Sequence, residues 1–239
     1  MTQSDRTAVI IGVGPGLGMS MAHRLGAEGY RVALVSRTSA RHPGYLDDLA
    51  ARGITATAYA ADVTDTDRLT TVLDTIYAEH DVEFVYYGPG PTQQPVPITE
   101  VDTETARSAF DSVWPAVRTV GVFLPRMLDR GRGGLLFAGG LSSVRPMPML
   151  GQLALAAGAL RNYVRTLHAA VAGHGVYVGT LTIGGLVERG DIHRMVAADP
   201  ANYPAAEGHT LDPDVLADAA WSMYRTRERA EEVFDVLDG

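Results

Sequence analysis

The stretch Thr7-Ala8-Val9-Ile10-Ile11-Gly12-Val13-Gly14-Pro15-Gly16-Leu17-Gly18-Met19 decides the fold. An apolar, β-branched run ends in alternating glycines, and a helical pattern then extends to Glu28, with Gly29 placed to stop it. Strand, glycine turn and helix in this order make a unit whose backbone amides can approach an anion with no Cβ in the way. The helix N-terminus adds unsatisfied donors and positive potential. Gly12, Gly14, Gly16, Leu17 and Gly18 are therefore the expected phosphate-binding positions.

The same alternation continues outward. Arg31 to Ser36 reads as a strand, His42-Pro43-Gly44 as a turn, and Tyr45 to Ala51 as a short helix. Ile54 to Tyr59 is the next strand, followed by a helix to about Glu79 capped by Thr64 or Asp65. Val82 to Tyr87 then runs into Gly88-Pro89-Gly90-Pro91, where two prolines end it. Thr103 to Leu128 is a long helical pattern that Pro115 kinks or breaks. The strand Gly134 to Ala138, the Ala/Leu helix Leu150 to Ala172 and the strand Val176 to Ile183 follow. A loop region, a helix near Pro213 to Arg225 and a last strand near Val233 to Val236 complete the chain. Short strands separated by helices predict a doubly wound parallel sheet flanked by helices, one Rossmann-type domain over residues 1–239.

The second strand ends Val35-Ser36-Arg37. A dinucleotide site selective for NAD(H) usually has an acid at this tip to bond the ribose hydroxyls. Here Ser36 precedes Arg37, with Arg41 close by, and guanidinium groups suit the extra phosphate of NADP(H). NADP(H) is thus the expected cofactor, in preference to NAD(H), with Ser36 and Arg37 among the residues that touch it.

Taken together, the chain resembles the short-chain dehydrogenase/reductase family over nearly its whole length. The spacing Gly12-x-x-x-Gly16-x-Gly18 is that family's glycine pattern, and Asp62-Val63 is similar to its adenine-contacting pair. The elements around Gly134 to Leu141, Ser142-Ser143 and the Ala/Leu helix match in order. The resemblance implies a cofactor lying along Gly88 and Gly184, a mobile substrate lid opening near Glu188 to Asp191, and a homodimer or homotetramer. It also implies a Tyr-x-x-x-Lys pair at the start of the Ala/Leu helix, but Leu153 and Ala157 stand at those positions, and the helix has no lysine. The family's Asn-Asn-Ala-Gly is replaced by Val85-Tyr86-Tyr87-Gly88, and its Pro-Gly by Ile183-Gly184.

Of the usual catalytic set, only a serine is a candidate. Ser142 and Ser143 read equally as catalytic hydroxyls and as a turn cap. Tyr86 and Tyr87 end a strand where ligands bind, and alternation lets only one of them face the cleft. Tyr87 joins the serines as a candidate proton donor. Arg145 reads as an anion ligand or a solvated arginine, and Met147 and Met149 as pocket lining or plain packing.

Three functions stay open: an oxidoreductase with a non-standard proton donor acting on a small organic substrate, a catalytically silent nucleotide-binding protein, and a non-redox cyclase, dehydratase or isomerase in the same pocket. Composition excludes others. A net charge of −8 with dispersed arginines argues against nucleic acid, and no histidine spacing suggests a metal. With no cysteine there is no thiolate nucleophile, and no apolar run spans a bilayer. Residues Met1 to Arg6 lack a basic region followed by an apolar stretch, so a cytoplasmic protein is expected.

Overall fold

A computed structural model describes residues 5–91, 93–199 and 208–237. Its centre is a seven-stranded sheet in the order β3-β2-β1-β4-β5-β6-β9, every neighbouring pair parallel. The strands are β1 (Arg6–Ile11), β2 (Arg31–Ser36), β3 (Ala56–Ala60), β4 (Asp81–Tyr87), β5 (Gly133–Gly140), β6 (Val176–Gly184) and β9 (Glu231–Asp235). Two-residue strands β7 (Leu186–Val187) and β8 (Thr210–Leu211) pair separately.

The helices are α1 (Leu17–Ala27), α2 (His42–Ala51), α3 (Thr66–Glu79), α4 (Thr103–Ala109), α5 (Trp114–Arg130), α6 (Gly151–Ala170), α7 (Asp191–Ala198) and α8 (Pro213–Thr226). Both sheet faces are covered, so the strands read as unbroken apolar runs. Ala8, Ile10 and Leu34 pack with residues of α1, α2 and α8 on one face. Val9, Ile11 and Val35 pack with α3, α5 and α6 on the other. Each fully buried Ile, Leu or Val contributes about 1.5–3 kcal/mol relative to exposure.

One sequence expectation changes. His42-Pro43-Gly44 is not a separate turn but the first turn of α2. A proline there loses no hydrogen bond, and its fixed φ suits a helix start. The pattern from Thr103 to Leu128 breaks near Pro115, as expected, into two helices joined by a short 3₁₀ turn, with Pro115 in the first turn of α5. His168 in α6 is half-buried, with Nδ1 donating to the Val178 carbonyl at 2.7 Å. The helix after β3 is capped by Asp65, whose carboxylate accepts from the Arg68 amide.

The strand order reverses between β1 and β4, the place where a parallel sheet opens a crevice at its carboxyl ends. Gly12 and Gly88 flank that crevice.

Candidate active site and cofactor cradle

The floor of the crevice is made of backbone. Gly12 has φ +86, and a Cβ there would lie 2.5 Å from the Pro89 nitrogen. The Gly88 amide donates to the Ile11 carbonyl, so the tips of β1 and β4 interlock. Gly18 lets α1 pack on the turn, since a Cβ would sit 2.8 Å from Val13 Cα. Gly14 faces open space. Gly16 is the N-cap of α1, with no side-chain cap and no acid in the first turn. Leu17 and Gly18 open the helix, so their amides have no intrahelical acceptor.

Gly16 has neighbours of another kind. A Cβ built on it would lie 3.0 Å from the Glu188 carbonyl oxygen and 3.1 Å from Gly190 Cα. Chain from beyond β6 thus rests on the glycine turn.

At the tip of β2, Ser36 donates to the Thr38 carbonyl and lies 2.8 Å from His42 Nε2. Arg37 is exposed, and its charge helps lower the carboxyl pKa of both Asp62 and Asp191. The larger cause at Asp62 is the Thr64 amide, which donates to Asp62 Oδ1 at 3.0 Å. Val63 is buried beside it. Arg41 donates to Asp191 at 2.7 Å. A groove of about 560 Å³ runs between α1 and α2, lined by Pro15, Ser20, Arg41, Tyr45, Arg52 and Arg189.

At the other end of the crevice, the two tyrosines point to opposite faces. Tyr86 joins the core shared with α1 and α8, and Tyr87 the core shared with α3 and α5. The Tyr86 hydroxyl sits against Gly88, where a Cβ would come within 2.1 Å of it. The Tyr87 hydroxyl donates to the Ser112 carbonyl at 3.1 Å. Burial raises both phenol pKa values far above the ordinary range. Ser142 and Ser143 lie in a 3₁₀ turn directly after β5, where Ser143 donates to the Gly140 carbonyl. The Ser142 hydroxyl lies 3.6 Å from a Cβ built on Gly140. Gly184 accepts from the Val236 amide and packs under Leu141. Arg145 is tied to Asp235 and the Leu237 carbonyl.

Leu153 and Ala157 lie four residues apart near the start of α6, both half-buried. That spacing puts them on one face of the helix. The helix start is held by groups the sequence did not single out. Gln152 is buried; its Oε1 accepts from the Val96 amide and its Nε2 donates to the Gln94 carbonyl. Gly151 leaves no room for a Cβ against Ile98. A glutamine beside a glycine in an otherwise Ala/Leu-rich helix start was the available signal. All 20 basic residues of the chain are arginine, so no lysine from another element can replace the missing one.

A family model described as short chain dehydrogenase matches residues 6–193. The 1-deoxy-11-beta-hydroxypentalenate dehydrogenase of Streptomyces avermitilis is 30% identical over 221 residues, covering 90% of this chain and 80% of that protein. Among solved structures, a putative NAD(P) dependent gluconate 5-dehydrogenase from Beutenbergia cavernae, with bound NADP at low occupancy, superposes with a TM-score of 0.82 at 24% identity, covering 97% of this chain and 94% of that one. A 3-oxoacyl (acyl-carrier-protein) reductase from Agrobacterium tumefaciens with NADP bound gives 0.83 at 20% identity, covering 96% and 92%. At these identities the two structures speak for the fold. Among the described residues no helix is long and apolar enough to cross a membrane, and no cluster of ligating side chains could hold a metal ion.

Proposed function

Since the chain belongs to the short-chain dehydrogenase family, we propose that it is an NADP(H)-binding oxidoreductase that works on a small organic substrate without the family's tyrosine and lysine. The observation that carries this reading is the glycine turn itself. It opens α1 on bare backbone, with uncapped amides and no acid in the first turn, and these fit a diphosphate. Arg37 and Arg41 at the tip of β2 fit the additional phosphate of NADP(H). NADP-bound relatives of the same fold agree with it. Asp62 and Val63 would contact the adenine, with Gly88 and Gly184 along the cofactor's course.

The nicotinamide supplies hydride when bound, and the chain positions the acceptor and excludes water. Around Leu153 and Ala157 the wall is hydrocarbon, which favours an apolar substrate. A tyrosine-like acid contributes about 10² to 10⁴-fold where one is needed. The substrate proposed here is therefore an imine or an activated double bond, whose reduction leans less on an acid. Ser142 is the proposed polar contact to the substrate, since Ser143 and Tyr87 spend their hydroxyl protons on backbone carbonyls.

A second reading, a silent nucleotide-binding protein, is favoured by the same Leu153 and Ala157. Calorimetry with NADPH and NADH, alongside NADPH oxidation over a panel of imines, enones and ketones, separates the two. Binding with turnover supports the oxidoreductase; binding with no turnover on any substrate supports the silent protein. Arg37→Ala should weaken NADPH binding about tenfold, the loss of one charge-assisted contact, and leave NADH unchanged. Equal loss for both nucleotides would overturn the assignment of Arg37 to the phosphate.

A further inference from the structure

Ser36 closes β2, and its neighbours decide what its hydroxyl can offer a ligand. Its backbone is fixed, since the Ala61 amide donates to the Ser36 carbonyl at 2.9 Å. The hydroxyl donates to the Thr38 carbonyl at 3.0 Å and lies 2.8 Å from His42 Nε2. A hydroxyl carries one proton, and a carbonyl oxygen only accepts. With that proton on Thr38, His42 Nε2 is the donor of the second bond. We propose that His42 determines nucleotide specificity by acting through Ser36: it holds the serine oxygen from behind and leaves the serine proton free to turn to the additional phosphate of NADP(H). This rests on the reading of the glycine turn as a nucleotide site.

His42 is placed for this role. It is 7% exposed in the first turn of α2, and its amide donates to the Ser39 carbonyl at 3.0 Å. A leucine would fill that turn as well; what the imidazole adds is the bond to Ser36. The bond closes the base of the loop that carries Arg37 and Arg41. Burial lowers the His42 pKa, so at neutral pH the ring is uncharged and has one proton to place. On Nε2, that proton feeds the serine oxygen. On the other nitrogen, it would leave Nε2 to take the serine proton, and nothing would remain for a phosphate.

The two nucleotides make different demands on this pair. A phosphate oxygen only accepts, so Ser36 must turn its proton from Thr38 to the phosphate while His42 keeps the oxygen in place. A ribose hydroxyl brings its own proton and needs only a lone pair of Ser36, which it finds with or without His42. His42 therefore bears on NADP(H) and not on NAD(H). Exchanging a neutral bond for a charge-assisted one is worth about fivefold in affinity.

Calorimetry with NADPH and NADH tests this on the natural chain, His42→Leu, His42→Gln, Ser36→Ala and the combination of His42→Leu with Ser36→Ala. His42→Leu should weaken NADPH about fivefold and change NADH by less than about twofold. His42→Phe, a second apolar filling of the same turn, carries the same expectation. His42→Gln, whose side-chain amide still donates, should bring NADPH back to within about twofold of the natural chain. Ser36→Ala should weaken NADPH as much as His42→Leu, and the combination no more than either alone, because the two residues act as one unit. Equal losses for both nucleotides, losses that multiply in the combination, or no recovery with glutamine each overturn the proposal. If the natural chain binds both nucleotides and neither apolar variant weakens NADPH, the proposal alone falls. If the natural chain binds neither, the nucleotide reading falls and takes the proposal with it.

Discussion

The two ends of the crevice are built from opposite materials. Around Gly12 and Gly18 the site depends on side chains being absent, since a Cβ at either would fall under 3 Å from neighbouring backbone. At Leu153 and Ala157, where the resemblance would place a tyrosine and a lysine, the chain offers hydrocarbon. A feature made of backbone is also needed for folding, because Gly12 and Gly18 hold β1, β4 and α1 together. A phenol and an ammonium on a helix face have no such structural duty. A chain without them can keep the fold intact, so the two ends of the crevice are free to differ within one sheet.

The comparison can be broken from either side. The largest effect is expected from restoring the missing groups. Leu153→Tyr combined with Ala157→Lys should raise the rate of ketone reduction by NADPH at least about 100-fold, the lower end of what acid–base catalysis contributes. Steady-state rates on the same substrate panel measure it. An unchanged rate would mean that the catalytic end differs in more than two side chains.

Next comes the cradle. Gly12→Ala forces φ +86 on a residue with a Cβ and drives that Cβ into Pro89 backbone, so unfolding free energy should fall by about 3 kcal/mol or more. Urea denaturation checks this. A loss below about 1 kcal/mol would show that the floor is not the rigid piece described.

The smallest of the three concerns Glu231, which ties β9 to α6. It accepts a two-pronged bond from Arg161 at 2.7 Å and further bonds from Arg165 and the Thr182 hydroxyl. Glu231→Gln should cost about 2 kcal/mol, since the arginines are only partly buried. The Arg161 guanidinium holds the Glu231 carboxyl below its ordinary pKa. A depressed folded value stabilises the protein above the unfolded carboxylate range and loses that stabilisation as pH falls through the folded value. The gap between natural chain and variant should therefore be full above about pH 5.5 and shrink toward pH 3. A gap that widens on acidification would contradict the ion pair. This variant should leave nucleotide binding untouched, which separates the frame of the sheet from its crevice.

Much of this was legible in the sequence because it is local. Ile11 to Met19 announced turn and helix together, and Pro115 marked the division between α4 and α5. His42 misled because a proline and a glycine signal a turn equally well when they open a helix. Strands of two residues, β7 and β8, are too short to show a period. The remainder was hidden by distance along the chain. The pairing of Arg41 with Asp191 spans 150 residues, and Tyr87 reads as a free hydroxyl until it is seen on the Ser112 carbonyl.

The contact between Gly12 and Pro89 has a mechanical consequence. Two strand tips touching backbone to backbone leave nothing compressible between them, so the bottom of the crevice is a fixed jaw. A substitution that pries the two tips apart would therefore be felt across the whole sheet, since β1 and β4 lie side by side at its middle.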